Sequence, residues 1–221
     1  MDELVWAPNF DYWYSVNRAR GTLLEKFAGM SRNDIVRAVG GYIWNHASGI
    51  KTIYDGSVHE SRADDGDVKI HEYHTPVSSI REVYSKSENE FTSRVLTEDF
   101  VKDRGSLKVM KYVAEATEYV ADYDPVWKAK WETGEDGVVL NMRISVSFIQ
   151  FAKHDAGYIT GYYRWMDHKE EVKELLQIYF KKYLQGYAIL SEGPADFIST
   201  GDNMDGTIIS PPIFMQYALP F

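Results

Sequence analysis

The sequence contains no cysteine, which excludes disulfide bonds, a thiol nucleophile and thiolate ligands for zinc. Basic residues are also scarce: 24 lysines and arginines stand against 33 aspartates and glutamates, for a net charge of −9, whereas phosphate binding needs a basic face. No apolar run approaches the roughly 20 residues of a membrane helix, and no charged-then-apolar signal peptide opens the chain. These absences predict a cytoplasmic protein that binds neither nucleic acid nor a membrane.

Apolar residues, by contrast, are plentiful enough for a sizeable core. The 221 residues are 44% hydrophobic and 14% aromatic, which suits one large domain. Four segments are typical of buried strands, namely LVWAP, YIWNHASG, DGVVLNM and ADFIST. Between the first two, SRNDIVRAVGG predicts a helix over residues 32–39, with Ser31 and Asp34 as a capping box. Strand, helix and strand at this spacing predict parallel pairing with a right-handed crossover.

Residues 50–100 have a different texture. β-branched residues mix with turn signals at Asp55–Gly56, Asp65–Gly66 and Glu88–Asn89, a pattern typical of antiparallel hairpins. We interpret this segment as a β-rich insertion within a single domain over residues 1–221. Four parallel strands are half of an eight-stranded barrel, which needs about 250 residues. The expected fold class is therefore α/β: a partial (β/α)₈ TIM barrel, about its first half, with a β-hairpin insertion.

Three further segments predict helices. SLKVMKYVAEATEYV has helical texture over residues 106–120. HKEEVKELLQIYFKKYLQGYAIL predicts a long helix, for which Asp167 and Glu170 supply a capping box. Near the carboxyl terminus, Pro211 and Pro212 suit the first turn of a short amphipathic helix.

Five stretches resemble the uroporphyrinogen decarboxylase-like superfamily. They are VWAPNFDYWYSVNRARGTLLEKFAGMSRNDIVRAVGG, YHTPVSSIREV, LKVMKYVAEATEYVADYD, DHKEEVKELL and GDNMDGTIISPPIFMQYALPF. Together they cover nearly the whole chain in order, and they look closest to the branch of corrinoid-dependent methyltransferases. The family fold is a (β/α)₈ barrel with its active site at the carboxyl ends of the strands. Because family members are longer, the resemblance implies that this chain is the amino-terminal half of such a protein.

The chain departs from the decarboxylases at the positions that bind porphyrin. Their RQAGRY-type motif is replaced by NFDYWY, which has no arginine, and Asn45 and His46 stand where they place a key aspartate. Their FDS-AG motif aligns with GDNMDG, which keeps an aspartate as Asp202 but replaces serine with Asn203. A tetra-acid porphyrin needs several cations, so true uroporphyrinogen decarboxylation is disfavoured.

The methyltransferase branch implies a set of site residues at the barrel mouth. The expected catalytic residues are His46, Asp202 and Asn203. The expected substrate- or cofactor-binding residues are Asn9, Asp11, Tyr14, Asn141 and Asp205. The implied cofactor is cobalamin or another corrinoid on a partner protein. Zinc, which the branch holds with a His-x-Cys pair and a further cysteine, is expected only through the missing half.

Structural roles compete with these assignments. Asp202 and Asp205 also suit capping of the turn that follows them, and His46 and Asp11 equally suit local hydrogen bonding. His71 and His74 lie three apart, and such positions on a strand face opposite sides, which disfavours a metal pair.

The implied half-barrel predicts partners. A complementary carboxyl-terminal half chain, or failing that a homo-oligomer, would cover the open edges, and a corrinoid protein would deliver the cofactor. The isolated chain is expected to be inactive. The alternative function is a non-catalytic half-barrel module that binds through self-association.

Overall fold

The computed structural model describes residues 5–87, 94–141, 145–199, 206 and 209–220. Over these ranges the chain is a mixed α/β protein with three separate sheets. The helices are α1 (Asp11–Arg20), α2 (Arg32–Ala38), α3 (Arg104–Ala116), α4 (Asp124–Thr133), α5 (Ser147–Ile149), α6 (Tyr158–Asp167), α7 (Lys169–Ser191) and α8 (Pro211–Tyr217). The strands are β1 (Ile43–Ala47), β2 (Ile50–Tyr54), β3 (His59–Asp64), β4 (Val68–His74), β5 (Ser79–Lys86), β6 (Arg94–Glu98), β7 (Thr117–Ala121), β8 (Gly137–Asn141) and β9 (Phe197–Ile198). A 3₁₀ turn covers Glu25–Phe27, and α5 continues into a π-helical segment, Gln150–Asp155.

A three-stranded parallel sheet in the order β1–β8–β9 forms one part of the fold. Its strands match three of the four predicted parallel strands. Helix α4 packs against both β1 and β8, where the buried side chains of Ala47, Val126, Ala129 and Val139 form a small apolar cluster. The opposite face of β1 exposes Trp44 and His46, because successive side chains of a strand point to opposite faces.

The predicted first strand, LVWAP, is wrong over its described residues 5–8, which form no strand. The segment is tied to the fold by one backbone bond, from the N–H of Tyr42 to the carbonyl of Trp6 at 2.8 Å. Pro8 has no N–H to donate to a ladder, and it packs so closely on Gly41 that an added Cβ there would lie 2.8 Å from its Cδ. The segment therefore packs through its proline instead of pairing.

Two antiparallel sheets account for the region between β1 and β8. Strands β3, β4, β5 and β6 form a meander, with the predicted Asp65–Gly66 turn between β3 and β4, and β2 pairs with β7. The prediction of one helix over residues 106–120 is wrong at its end, because α3 stops at Ala116. The next five residues, TEYVA, are rich in β-branched and aromatic side chains and pair with β2, Thr117 opposite Tyr54.

Helix α7 carries the main core. Its buried side chains are Val172, Leu175, Leu176, Tyr179, Tyr183 and Leu190, and it packs on α3, β7, α5, α6 and β2. The long helix was predicted, but its capping box was wrong. Asp167 is the last residue of α6, and α7 starts after His168 without a side-chain cap. An N-cap needs a non-helical residue, and Asp167 is helical.

Two other predicted helix starts are confirmed. The N–H of Asp34 donates to Ser31 Oγ at 3.1 Å and the N–H of Ser31 donates to Asp34 Oδ2 at 3.2 Å, which completes the capping box of α2. Helix α8 begins with Pro211 and Pro212.

The sheets of the described ranges do not close into a barrel. Over the same part of the chain, every helix is too short or too polar to cross a membrane.

The contact between β1 and β8 generates a first prediction. An added Cβ at Gly137 would lie 2.0 Å from the carbonyl oxygen of Ile43, and backbone cannot move aside as a flexible side chain can. We expect Gly137→Ala to lower the free energy of unfolding by about 2 kcal/mol or more, as measured by urea denaturation. Gly206→Ala, whose Cβ would meet no atom of the described residues within 4 Å, is the matched control. Equal stability of the two variants would contradict the register in which Gly137 pairs with Ile43.

Candidate functional site

Two of the residues predicted from the sequence, Asn141 and His46, lie at or next to the carboxyl ends of parallel strands. Asn141 ends β8 and is fully buried, with its Nδ2 donating to the Leu190 carbonyl at 3.4 Å. Its Oδ1 has no hydrogen-bond partner among the described residues. This oxygen lies close to Gly49, where an added Cβ would be 2.7 Å from it. His46 is exposed on the open face of β1, and its Nε2 accepts a bond from Trp44 Nε1 at 2.9 Å.

Three other predicted residues have local partners near the start of α1. Asn9 Oδ1 accepts from the N–H of Asp11 at 3.1 Å, and the Tyr14 hydroxyl donates to the Met30 carbonyl at 3.1 Å. Asp11 forms an ion pair of 2.9 Å with Arg32, whose guanidinium also donates to the side chain of Asn45 in β1. Arg32 therefore ties α1 to the parallel sheet, a role that the sequence analysis missed.

The remaining predicted residues, Asp202, Asn203 and Asp205, lie outside the described residues. Their position after β9 is fixed by the chain order alone, and they stay predictions.

A cavity of about 560 Å³ adjoins the carboxyl ends of β1 and β8. Ser48, the residue after β1, and Ser145, four residues after β8, both line it. The other walls come from the antiparallel sheets, α3, α7 and the π-helical segment. Ligands of α/β proteins bind beyond the carboxyl ends of parallel strands, so this cavity is the candidate site.

The strands contribute to the cavity with a period of two. In each of four antiparallel strands, alternate residues line the cavity. They are Thr52 and Tyr54 from β2, Glu60 and Arg62 from β3, His71 and Tyr73 from β4, and Glu82 and Tyr84 from β5. Alternate side chains share one face of a strand. The sides of these strands that face the cavity are therefore mainly polar and aromatic instead of aliphatic.

His71 lies between two glutamates across three neighbouring strands, and of its ring nitrogens only Nδ1 has hydrogen-bonding geometry among the described residues. Its Nε2 lies 2.7 Å from Glu60 Oε1 and its Nδ1 lies 3.1 Å from Glu82 Oε1. Glu60 also accepts a bond of 2.6 Å from Arg62 Nε. His74 lies on the other face of β4, with its Nδ1 2.9 Å from Ser79 Oγ, so the two histidines do not form a pair, as the strand geometry predicted.

A carboxyl group lies at the helical wall of the cavity. Asp155 ends the π-helical segment and is only 3% exposed. Its Oδ2 accepts from the Tyr179 hydroxyl at 2.6 Å and its Oδ1 accepts from Gln150 Nε2 at 3.0 Å. Burial raises the pKa of Asp155 to about 7, although both hydrogen bonds oppose the increase. π-helical segments are frequent at functional sites.

Six tyrosines line the same cavity: Tyr54, Tyr73, Tyr84, Tyr119, Tyr179 and Tyr183. Burial raises the pKa of Tyr84 and of Tyr119 to about 12. It likewise raises the pKa of Tyr73 and of Tyr179. These hydroxyls stay protonated at neutral pH, so they act as hydrogen-bond donors and not as bases.

Metal chemistry has little support in the residues that the structure describes. Over those ranges, no three histidine, aspartate or glutamate side chains are grouped so that they could hold a metal ion.

The alternating pattern in HEYH and REVY is the sequence signal that could have found the cavity. That signal becomes readable only when the strand register says which alternate set faces inward.

No protein-family profile, curated protein or solved structure matches this chain.

The buried Asp155 carboxyl generates a second prediction. Its pKa is about 7 in the folded chain and ordinarily 3.8. Between these values the folded chain keeps a proton that the unfolded chain has released, so the free energy of unfolding falls as pH rises from about 4 to about 7. The free energy of unfolding of Asp155→Asn should not fall over this interval. Above pH 7 it should exceed that of the wild type by about 1 to 4 kcal/mol, as measured by urea denaturation without ligand.

The control for this prediction is Asp67→Asn, because Asp67 is 82% exposed in its side chain. It should follow the wild-type pH dependence. If Asp155→Asn and the wild type lost stability in parallel over this interval, the buried carboxyl would not be the cause.

Proposed function

We propose that this chain forms the amino-terminal half of a uroporphyrinogen decarboxylase-like, corrinoid-dependent methyltransferase. In this proposal the parallel strands are part of a (β/α)₈ barrel, and the antiparallel sheets are its β-rich insertion. The substrate occupies the cavity beyond the carboxyl ends of β1 and β8. The proposal rests on the sequence resemblance, and the structural observation that supports it most is the position of this cavity.

The size and lining of the cavity suit a small organic substrate. Its volume of about 560 Å³ lies within the range of small-molecule sites. Aromatic rings supply apolar surface, and hydroxyl, carboxyl and imidazole groups supply polar contacts that orient a ligand. The bonds from Tyr179 and Gln150 hold Asp155 in a fixed orientation, which favours preorganised binding.

The corrinoid belongs on a partner protein in this proposal. When bound, it supplies a cobalt centre that exchanges the methyl group with the substrate. This chain contributes substrate binding, water exclusion and hydrogen bonds from the cavity walls. Zinc does not fit the described residues, which lack a ligand group, and the sequence has no cysteine; its ligands would come from the complementary half.

The proposed catalytic residues remain those that the resemblance implies. His46, Asp202 and Asn203 follow or end parallel strands, where barrel enzymes keep their chemistry. Asn141 and Asp205 are assigned to the same rim as binding residues. The buried Oδ1 of Asn141, which has no hydrogen-bond partner among the described residues, supports a role at this rim, since a buried acceptor without a donor is costly.

A second candidate function is a non-catalytic half-barrel module that binds by self-association. The exposed face of the parallel sheet favours it, because Trp44 is 45% exposed and Phe197 is 58% exposed. Parallel sheets are normally covered on both faces, so this face suits a complementary half chain or a second copy. A homodimer in sedimentation that neither binds cobalamin nor transfers methyl groups would favour this candidate.

Methyl transfer by the completed assembly tests the main proposal. The assembly should bind cobalamin and form methylcobalamin from a methyl donor. The visible spectrum of the corrinoid monitors this reaction. Asp202→Ala and Asn203→Ala should each slow the transfer by about 100-fold, the range for loss of a general acid–base or electrostatic contact.

The matched control is Asp67→Ala in the exposed turn after β3, which should transfer methyl groups at the wild-type rate. Turnover of uroporphyrinogen by the same assembly would overturn the assignment to the methyltransferase branch. Full activity of both Asp202→Ala and Asn203→Ala would remove these residues from the site.

A further inference from the structure

Helix α4 exposes two tryptophans on the side that faces away from the parallel sheet. Its buried residues, Val126, Ala129 and Thr133, lie three and four positions apart, on the face that packs against β1 and β8. Trp127 and Trp131 lie one turn apart on the other side and are 58% and 84% exposed. No other large apolar side chain of the described residues is as exposed as Trp131. The helix therefore has one covered face and one uncovered aromatic face.

Exposed tryptophans are typical of surfaces that bind another protein. Tryptophan is enriched in interfaces and among the residues that carry most of the binding energy. At the exposures of Trp127 and Trp131, the four rings of two copies can bury about 700 Å². A stable interface buries at least about 1,200 Å² in total, so the rings alone supply more than half of the area that a dimer needs.

The charged side chains beside the tryptophans are complementary to themselves. Lys128 and Glu132 each follow a tryptophan by one position, so they lie one turn apart on the same flank of α4, and both are exposed. Lys130, by contrast, is held within the chain by an ion pair of 2.6 Å with Asp196. When a two-fold axis relates two antiparallel helices, the same flank of each helix faces the other. Lys128 of each copy then meets Glu132 of the other copy.

The same two-fold axis brings the tryptophans together. An axis that sets Lys128 opposite Glu132 passes beside Lys130, one residue from Trp131. The helical rise then places the two Trp131 rings about 3 Å apart along the helix axes, and Trp127 about 3 Å from Trp131 of the other copy. Aromatic rings at such short axial offsets can stack or meet edge to face. One arrangement therefore pairs both the rings and the charges.

We propose that a second copy of this chain docks on the uncovered face of α4, which carries Trp127, Lys128, Trp131 and Glu132, as an antiparallel helix pair. The tryptophan rings form the centre of the interface, and two ion pairs between Lys128 and Glu132 flank it. The inference does not rest on the proposed function, because Trp44 and the open face of β1 lie on the side of that strand opposite α4. The open sheet face stays available for a complementary half chain.

Sedimentation equilibrium of the purified chain measures this association. The wild type should form a dimer from low micromolar concentration upward. Trp131→Ala should raise the dissociation constant of the dimer at least about thirtyfold, because the ring is lost beside the axis in both copies. Met166→Ala is the matched control, since Met166 is an apolar side chain of α6 that is 69% exposed. It should leave the dissociation constant unchanged.

An exchange of charges tests the register and the choice of partner. Lys128→Glu or Glu132→Lys alone should weaken the homodimer, because each sets like charges opposite one another across the axis. A mixture of the two variants should form a heterodimer in which both ion pairs are restored. Native mass spectrometry detects it when one variant is labelled with nitrogen-15. Both positions are exposed, so urea denaturation should show that the variants are as stable as the wild type.

Several results would overturn the inference. They are a monomer at every concentration, a dimer that Trp131→Ala leaves unchanged, and a mixture of the charge variants without heterodimer. A dimer that is lost in Trp44→Ala and kept in Trp131→Ala would assign self-association to the open sheet face. A monomer that binds phosphatidylcholine vesicles, and loses this binding in Trp131→Ala, would assign the tryptophans to a lipid surface. None of these measurements needs cobalamin, so failure here is distinguishable from failure of methyl transfer.

Discussion

The buried face of α7 is the constraint on which the rest of the structure depends. Val172 and Leu175 are completely buried, and the helix packs on α3, α5, α6, β2 and β7. Full burial of such side chains contributes about 1.5 to 3 kcal/mol each, so this face fixes the position of the helix. The same face carries Tyr179, whose hydroxyl bonds Asp155. Apolar packing of one helix thereby sets the geometry of the polar cavity.

The antiparallel sheets supply the other side of the cavity, and their register decides its chemistry. Arg62 stands opposite His71, and His71 stands opposite Glu82, so the contact between His71 and Glu82 lies within one row of cross-strand neighbours. A shift of one residue in the register would turn this row to the other face of the sheet. The alkyl and aromatic core around α3 and α7 prevents such a shift, because it buries Ile80 and Phe100 beside the same sheet. The polar network therefore depends on apolar contacts that specify its register.

Two of the three helix starts that were predicted from local signals are confirmed, and the capping box of Asp167 and Glu170 is the exception. The capping box of Ser31 and Asp34 starts α2, and the paired prolines start α8, because each acts on its own turn of helix. Predictions that depended on distant partners were less successful. The segment after Ala116 leaves the helix because β2 offers it a pairing partner, and LVWAP has no such partner among the described residues. Asp155 was missed for the same reason: it lies far from Glu82 in sequence, and only the fold brings the two carboxyl groups to one cavity.

The account depends most on the state of the Asp155 carboxyl, which is buried at the helical wall of the cavity. The most direct measurement is a carbon NMR titration of the side-chain carboxyl groups, with Asp155→Asn used to assign the resonance. The account predicts a pKa of about 7 for Asp155, because burial disfavours the ionised form of the carboxyl group. A pKa near the ordinary value of 3.8 would contradict it.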